Sequence, residues 1–292
     1  MEREYLSIVA ASRNDNHGGN LNERMQNFID NLNRQSEKFN FPIEIIIVDW
    51  NPPNNKPLLH EVLKGKFRSI IVPGGVHKRY GQHKLIPLYQ MIAKNVGIRR
   101  ARGEFILATN VDILFDDSVI SFLSKKKLQK GCIYRAYRYD AKSGVKNVEE
   151  AKKNLIRINL SYTDELCTNA CGDFQLLHRN DWFRLRGYYE KDVFSIHIDS
   201  IFEYYAVYNG CKEIVLRPPK VVYHIEHAGG WVPGIEFSKE YNRMNDDKIK
   251  KISYEDLLNI IRLMEAQNSF FYYNKDNWGL KDEKFEEIDI VR

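Results

Sequence analysis

Apolar positions follow two rhythms along this chain. YLSIVAA (5–11), IEIIIVDW (43–50), FRSIIVP (67–73) and EFILAT (104–109) are short continuous apolar runs, the pattern of strands buried on both faces. Between them the period changes to that of a helix. LNERMQNFIDNLNRQSEKF (21–39) puts apolar residues at 21, 25, 28, 29 and 32, on one helical face. PLLHEVLKG (57–65) reads as a short helix, and IPLYQMIAKNVGIRRARG (86–103) as a long one closed by Gly103 as C-cap. The second run is stopped by NPPNNKP and the third by Pro73-Gly74-Gly75, where prolines cannot continue a ladder. Strand–helix alternation of this kind predicts a parallel sheet with helices on both faces, because parallel neighbours need crossover connections.

The rest of the chain is less regular. SVISFLSKKKLQ (118–129) predicts a helix and CIYRAYRYD (132–140) a strand with outward-pointing arginines. Residues 141–165 are polar and read as an excursion over the site. GDFQLLH (172–178) is a strand, RNDWFRLRG (179–187) a helix stopped at Gly187, and HIDSIFEYYAVYNG (197–210) a helix with an acid in its first turn. EIVLRPPKVVYHIEH (213–227) is a strand pair or one strand broken by prolines, and YEDLLNIIRLMEAQ (254–267) is a tail helix. The sequence has no internal repeat, low-complexity tract or clear linker.

Ligands of open α/β sheets sit outside the carboxyl ends of the strands. Those ends are polar here: Ser12-Arg13-Asn14-Asp15, Asp49-Trp50-Asn51 and Asn110-Val111-Asp112. Composition narrows the options. With 43% hydrophobic and 28% charged residues the chain is an ordinary globular protein, and its net charge of +5 is scattered, favouring phosphate-bearing ligands without the stripe that nucleic acid needs. Cys132, Cys167, Cys171 and Cys211 contain no C-x-x-C, so free thiols are expected rather than zinc. No signal-peptide core or long apolar run is present, so a cytoplasmic protein is expected, with room for peripheral contact at the inner membrane face.

With these segments in register, the chain resembles nucleotide-sugar glycosyltransferases of the GT-A fold, in particular family 2. The pattern A-x-N-x-G-x-x-x-A-x-G appears as Ala93, Asn95, Gly97, Ala101 and Gly103, followed by EFILATNVD, where the family's acidic triplet has become Asn110-Val111-Asp112. IEIIIVDW resembles the second strand, GDFQLLHRNDWFRLRGYYE the acceptor-side strand and helix, and HIDSIF the later motif with the catalytic acid. The resemblance implies an α/β, Rossmann-like GT-A domain over 1–234, with a nucleotide-binding half to about 116 and an acceptor half from 117. Residues 235–292 would form a C-terminal helical extension packed on it.

The same resemblance implies the site. Asp199 would be the catalytic base. Ser12, Arg13, Asp15, Asp49, Lys94, Asn95, Asn110 and Asp112 would bind the nucleotide sugar, with Asp49 accepting from the uracil ring and Trp50 walling the base pocket. Asp173, Glu190 and Trp231 would bind acceptor or sugar. Mn²⁺ or Mg²⁺ would sit on Asp112 and a late histidine, His224 before His227. Residues three apart on an extended chain face opposite ways, which argues against both ligating together. The implied reaction moves a sugar from a nucleotide diphosphate sugar, a UDP-sugar where the acid reads uracil, onto a carbohydrate or glycolipid hydroxyl with inversion. A retaining transferase, a sugar-phosphate nucleotidyltransferase and a non-catalytic nucleotide-sugar binder are the alternatives. Asp199 would equally serve as a helix N-terminal residue, and either histidine as a backbone-bonded structural one.

Overall fold

The four apolar runs become β1 (Leu6–Ser12), β2 (Ile43–Trp50), β3 (Lys66–Val72) and β4 (Phe105–Ala108), joined in the parallel order β3-β2-β1-β4. The structure, a computed structural model, describes residues 4–159, 166–227, 246–267 and 270–291. Every residue of β1 is buried, which is why its sequence shows no alternation. α1 (Leu21–Lys38) covers one face of the sheet through Leu21, Met25, Phe28, Ile29 and Leu32, the five positions its helical period singled out. Each such side chain contributes about 1.5–3 kcal/mol when fully buried.

Two short helices, α2 (Leu59–Val62) and α3 (Gly74–His77), flank β3, and α4 (Gln90–Arg100) packs on the opposite face. α4 is shorter than its sequence suggested, because Pro87 precedes it and Ala101 already leaves the helical region. Gly103 is therefore not a cap. A Cβ there would come within 2.6 Å of the Ser7 backbone nitrogen, so close approach to β1 excludes a side chain.

Beyond β4 the sheet continues through antiparallel and parallel neighbours. β5 (Ile113–Phe115), β6 (Cys132–Ala141), β7 (Leu155–Asn159), β8 (Gln175–His178) and β9 (Lys212–Ile225) give the order β4-β8-β6-β9-β5, with β7 paired to β6. α5 (Asp117–Leu123) joins the α1 layer, while α7 (Arg179–Leu185) and α8 (Ile198–Tyr208) join α4. The polar stretch after β6 holds α6 (Val148–Lys153) and β7. β9 is a single strand. Its pairing with β6 jumps from Leu216 opposite Ala136 to Val221 opposite Tyr137, so residues 217–220, which include both prolines, are skipped. The arginines of β6 do not point outward: Arg135 is fully buried and Arg138 nearly so.

The tail is not purely helical. α9 (Tyr254–Ala266) packs on α8 through Leu257, Ile261 and Met264, but the chain then returns to the far edge of the sheet as β10 (Glu286–Val291), antiparallel to β3. Glu286, Glu287 and Asp289 decorate this edge strand with charge, which masked it as a strand in the sequence and blunts it against further pairing.

Candidate functional site

β4 ends at Ala108, and the next four residues cross the carboxyl edge before β5 begins. Thr109 anchors the crossing by donating its hydroxyl to the Asp173 carbonyl at 2.7 Å. β5 then pairs with the end of β9, Ile113 opposite His224, and Ile225 donates its N–H to the Asp112 carbonyl at 2.9 Å. This pairing brings the only acid of the NVD triplet beside the late histidines. His224 Nε2 lies 3.9 Å and His227 Nε2 3.0 Å from Asp112 Oδ2.

Both histidines therefore reach the same carboxylate, against the expectation that residues three apart diverge. The reason is local: β9 stops at Ile225, so the strand's alternation does not govern His227. Asp112, His224 and His227 bring their ligand atoms within 4.8 Å of one another, and they are the one such group among the described residues. The fit to a divalent cation rests on a vacant carboxylate oxygen as well as spacing. Asp112 Oδ1 is buried with no hydrogen-bond partner among the described residues, whereas His227 Nδ1, likewise unpartnered, faces Gly18. Two imidazoles and a carboxylate suit Mn²⁺ or another transition ion better than Mg²⁺, which prefers oxygen.

Electrostatics agrees with geometry. Burial alone would raise the Asp112 carboxyl, but its bond to His227 and the charges of His224, His227 and Arg24 outweigh burial and hold it well below the usual range. His224 moves the other way: burial opposes its charge, yet Asp140 and Asp112 outweigh that and raise it. Arg24, on α1, was not foreseen. Its guanidinium sits 3.2 Å from Asp112 Oδ2 and also donates to the carbonyls of His17 and Gly19, so it ties the loop after β1 to the triad. Gly18 in that loop has φ +70, and a methyl group there would collide with the His227 ring.

The triad lines one end of a cavity of about 470 Å³ on the carboxyl edge, which also takes in Asp15, Asn110 and Asp173 from the expected set. Asn110 accepts from Gln90 at 2.8 Å and donates to Asp173 Oδ1 at 2.7 Å, bridging the two halves of the chain. Asp15 is held by His17 at 2.6 Å and Arg13 at 3.0 Å; burial is outweighed and its carboxyl falls to about 2. Arg13 also donates to the Asn51 carbonyl at 2.6 Å. Ser12 and Asp49 are register partners at the ends of β1 and β2, both fully buried and outside the lining. Asp49 accepts from the Leu59 N–H at 2.9 Å, its second oxygen has no partner among the described residues, and burial pushes it up to about 6.

Several expected ligands lie elsewhere. Lys94 is fully buried behind the cavity, donating to the Gly172 carbonyl at 2.9 Å; burial lowers it to about 8, with Asp173, Asp199 and Asp112 offsetting part of that. Asn95 and Glu190 bond to each other at 3.0 Å, Asn95 exchanges hydrogen bonds with the Tyr188 backbone, and Glu190 accepts from the Gly279 N–H at 2.7 Å. α4 is buried on both faces, so an asparagine there must satisfy its amide internally rather than through a ligand. Trp50 packs in the core, donating to His77 at 3.0 Å, and is not part of this cavity's lining. Trp231 lies outside the described residues. Asp199 is half-buried in the first turn of α8, just behind the lining. Its two oxygens accept from the Gly172 and Ser200 N–H groups at 2.8 and 2.9 Å.

Arg138 and Asp140 were missed. Both stand on β6 two residues apart, hence on one face, and that spacing was the available signal. Arg138 lines the cavity and contacts Asp140 at 2.9 Å and Asp173 at 3.0 Å.

No family model matches this chain, and neither does any curated protein. Solved structures do. S. aureus TarS 1–349 superposes with a TM-score of 0.50 at 14% identity, covering 76% of this chain and 60% of that one. The same protein in complex with UDP gives 0.47 at 14% identity over the same shares. The catalytic domain of Drosophila beta1,4galactosyltransferase 7, in complex with xylobiose, gives 0.42 at 10% identity, over 76%-exceeding coverage of 91% of this chain and 83% of that one. The chain thus spans less than two thirds of the length of TarS 1–349, and what the first superposition carries is the fold, a GT-A-type α/β sheet.

Proposed function

We propose that the chain transfers a sugar from a nucleotide diphosphate sugar to a hydroxyl acceptor, with a UDP-sugar as donor and a carbohydrate or glycolipid as acceptor. The observation that carries this reading is the Asp112–His224–His227 cluster, set at one end of a cavity on the carboxyl edge of a GT-A-type sheet. These three residues would hold Mn²⁺, with Mg²⁺ second. A cation bound there supplies Lewis-acid neutralisation of the leaving diphosphate.

The chain's own groups divide the remaining work. Asp49, with a buried oxygen lacking a partner, is assigned to the base N–H, and Asp15 with Arg13 to the nucleoside beside it. Asp173 and Asn110 line the cavity and are assigned to sugar hydroxyls: the carboxylate keeps lone pairs, and the amide keeps a second N–H beyond its bond to Asp173. Asp199 is the base. Both oxygens of Asp173 are already engaged, by Asn110 and Arg138, whereas the described hydrogen bonds to Asp199 all come from backbone N–H groups and leave lone pairs open. Asp199 takes the acceptor proton as the acceptor oxygen bonds to the anomeric carbon and the nucleoside diphosphate departs, giving inversion. On this assignment the protein is a family 2 type hexosyl- or N-acetylhexosaminyltransferase.

The test is thermal-shift and calorimetric titration with nucleoside diphosphates, each with MnCl₂ and with EDTA. UDP with Mn²⁺ is expected to raise the melting temperature and Asp112→Asn to abolish most of that rise. Absence of a shift with every nucleoside diphosphate would sink the reading. NMR of the product's anomeric proton decides inversion against retention, and full turnover in Asp199→Asn would remove Asp199 as base.

A further inference from the structure

We propose that Arg138 is a positioning residue for the cation site: by bridging Asp140 and Asp173 it fixes Asp140 behind His224 and so sets the ring that faces Asp112. This inference rests on reading Asp112, His224 and His227 as metal ligands, and adds two residues that contact no ligand position directly.

Asp140 on β6 stands opposite His224 on β9 in a parallel pair, and their side chains meet as an ion-pair contact: His224 Nδ1 lies 3.3 Å from Asp140 Oδ1, without the alignment of a hydrogen bond. A carboxylate on one ring nitrogen fixes the tautomer and plane of an imidazole and turns the other nitrogen toward the metal. Here the other nitrogen, Nε2, is the one that faces Asp112. Asp140 can serve only if it is itself held. Its side chain is 6% exposed, as is that of Asp173, and two buried carboxylates side by side repel each other.

Arg138 answers both needs. Its terminal nitrogen donates to Asp173 Oδ2 at 3.0 Å, and its Nε makes an ion-pair contact with Asp140 Oδ1 at 2.9 Å without hydrogen-bond alignment. A planar guanidinium presents donors on two edges at once; a lysine ammonium is a single point on a flexible stem and cannot hold both acids in that way. Among the described residues Arg157 on β7 also faces Asp140, at 3.9 Å from Oδ2 and more exposed than Arg138. On the far side Asn110 fixes Asp173, so the contacts His224–Asp140–Arg138–Asp173–Asn110 run unbroken from the triad to the end of β4.

Simple electrostatics makes the opposite forecast, which gives the test its sign. Removing a guanidinium from the neighbourhood of a cation site should tighten cation binding by relieving repulsion. If Arg138 acts by position, removing it must weaken binding. The experiment is calorimetric titration of MnCl₂ into the full chain without nucleotide, with free Mn²⁺ counted by electron paramagnetic resonance. The variants are Arg138→Lys, Arg138→Gln and Asp140→Asn, with circular dichroism and melting curves reporting the fold. Loss of about tenfold or more in Mn²⁺ affinity is expected in all three. Arg138→Lys carries the test if Arg138→Gln fails to fold, because it keeps the buried charge and lacks only the second arm. Unchanged or tighter binding in Arg138→Lys overturns the inference while leaving the metal reading intact. A wild-type chain that binds no Mn²⁺ overturns both.

Discussion

Asp49 illustrates how a single buried acid connects stability with recognition. Its carboxyl, raised by burial from 3.8 to about 6, binds a proton in the folded state that it would release on unfolding across that interval. The folded chain therefore holds more protons than the unfolded one between about pH 4 and 6, and stability falls as pH rises through that window. Above it the loss is complete. Asp49→Asn removes the titration, so urea melts at pH 7 are expected to show the variant more stable by about 2–3 kcal/mol, converging with wild type near pH 4. If Asp49 reads the nucleobase, the same variant weakens UDP binding. A stabilised protein with unaltered UDP affinity would detach Asp49 from recognition and leave only a buried acid.

Among elements, legibility followed burial. β1 to β4 and α1 were plain in the sequence because each is apolar on every position or on one full helical face. What failed to stand out is short or half-exposed: β5 has three residues, β7 carries Ile156 and Ile158 each 54% exposed, and β10 alternates acids with isoleucines. The site was legible to the extent that it sits on strand ends. Asn110, Asp112 and His224 were found because a strand visibly stops near each of them. His227 as an equal partner was not, because no pattern says where β9 ends. Arg138 and Asp140 were hidden because a charged residue in a strand looks solvent-facing until its neighbours are known. The motif NKDNWGL, with no role apparent in the sequence, proves to be a strap. Trp278 is 1% exposed, edge-on to Phe183 and 4.7 Å from the Arg99 guanidinium, while Asn274 bonds to the backbone of Arg186 and Tyr188. Trp278→Ala is expected to cost about 3–5 kcal/mol in urea unfolding. A loss under about 1 kcal/mol would mean that the strap decorates the fold without holding it.

At the scale of the molecule, the two halves of the sheet meet where β4 pairs antiparallel with β8, and the cavity opens along that seam. Asn110 and Thr109 come from one half and Asp173 from the other, so the floor of the site is itself a contact between halves. No helix among the described residues is long and apolar enough to cross a membrane. Ligand binding along such a seam should stabilise the chain as a unit: with UDP and Mn²⁺ a single, later unfolding transition is expected by calorimetry. Two transitions, only one of them moved by ligand, would show that the halves unfold separately.

The skipped residues of β9 impose a rule about length. Because side chains alternate along a strand, the pairing can lose Arg217 to Lys220 as a block and still present His224 to Asp140. Four is even, so the faces before and after the skip stay in phase. Substitutions within this block should be tolerated, and so should loss or gain of two residues. Removal of one residue would rotate every later side chain of β9 to the wrong face and take His224 away from Asp112. Deleting Lys220 alone should therefore lower the melting temperature together with Mn²⁺ affinity, because Val222, Tyr223 and Ile225 are buried on the same segment, whereas deleting Arg217 and Lys220 together should preserve both. The composition of this short arch is thus loosely constrained, while its parity is set by the histidine beyond it.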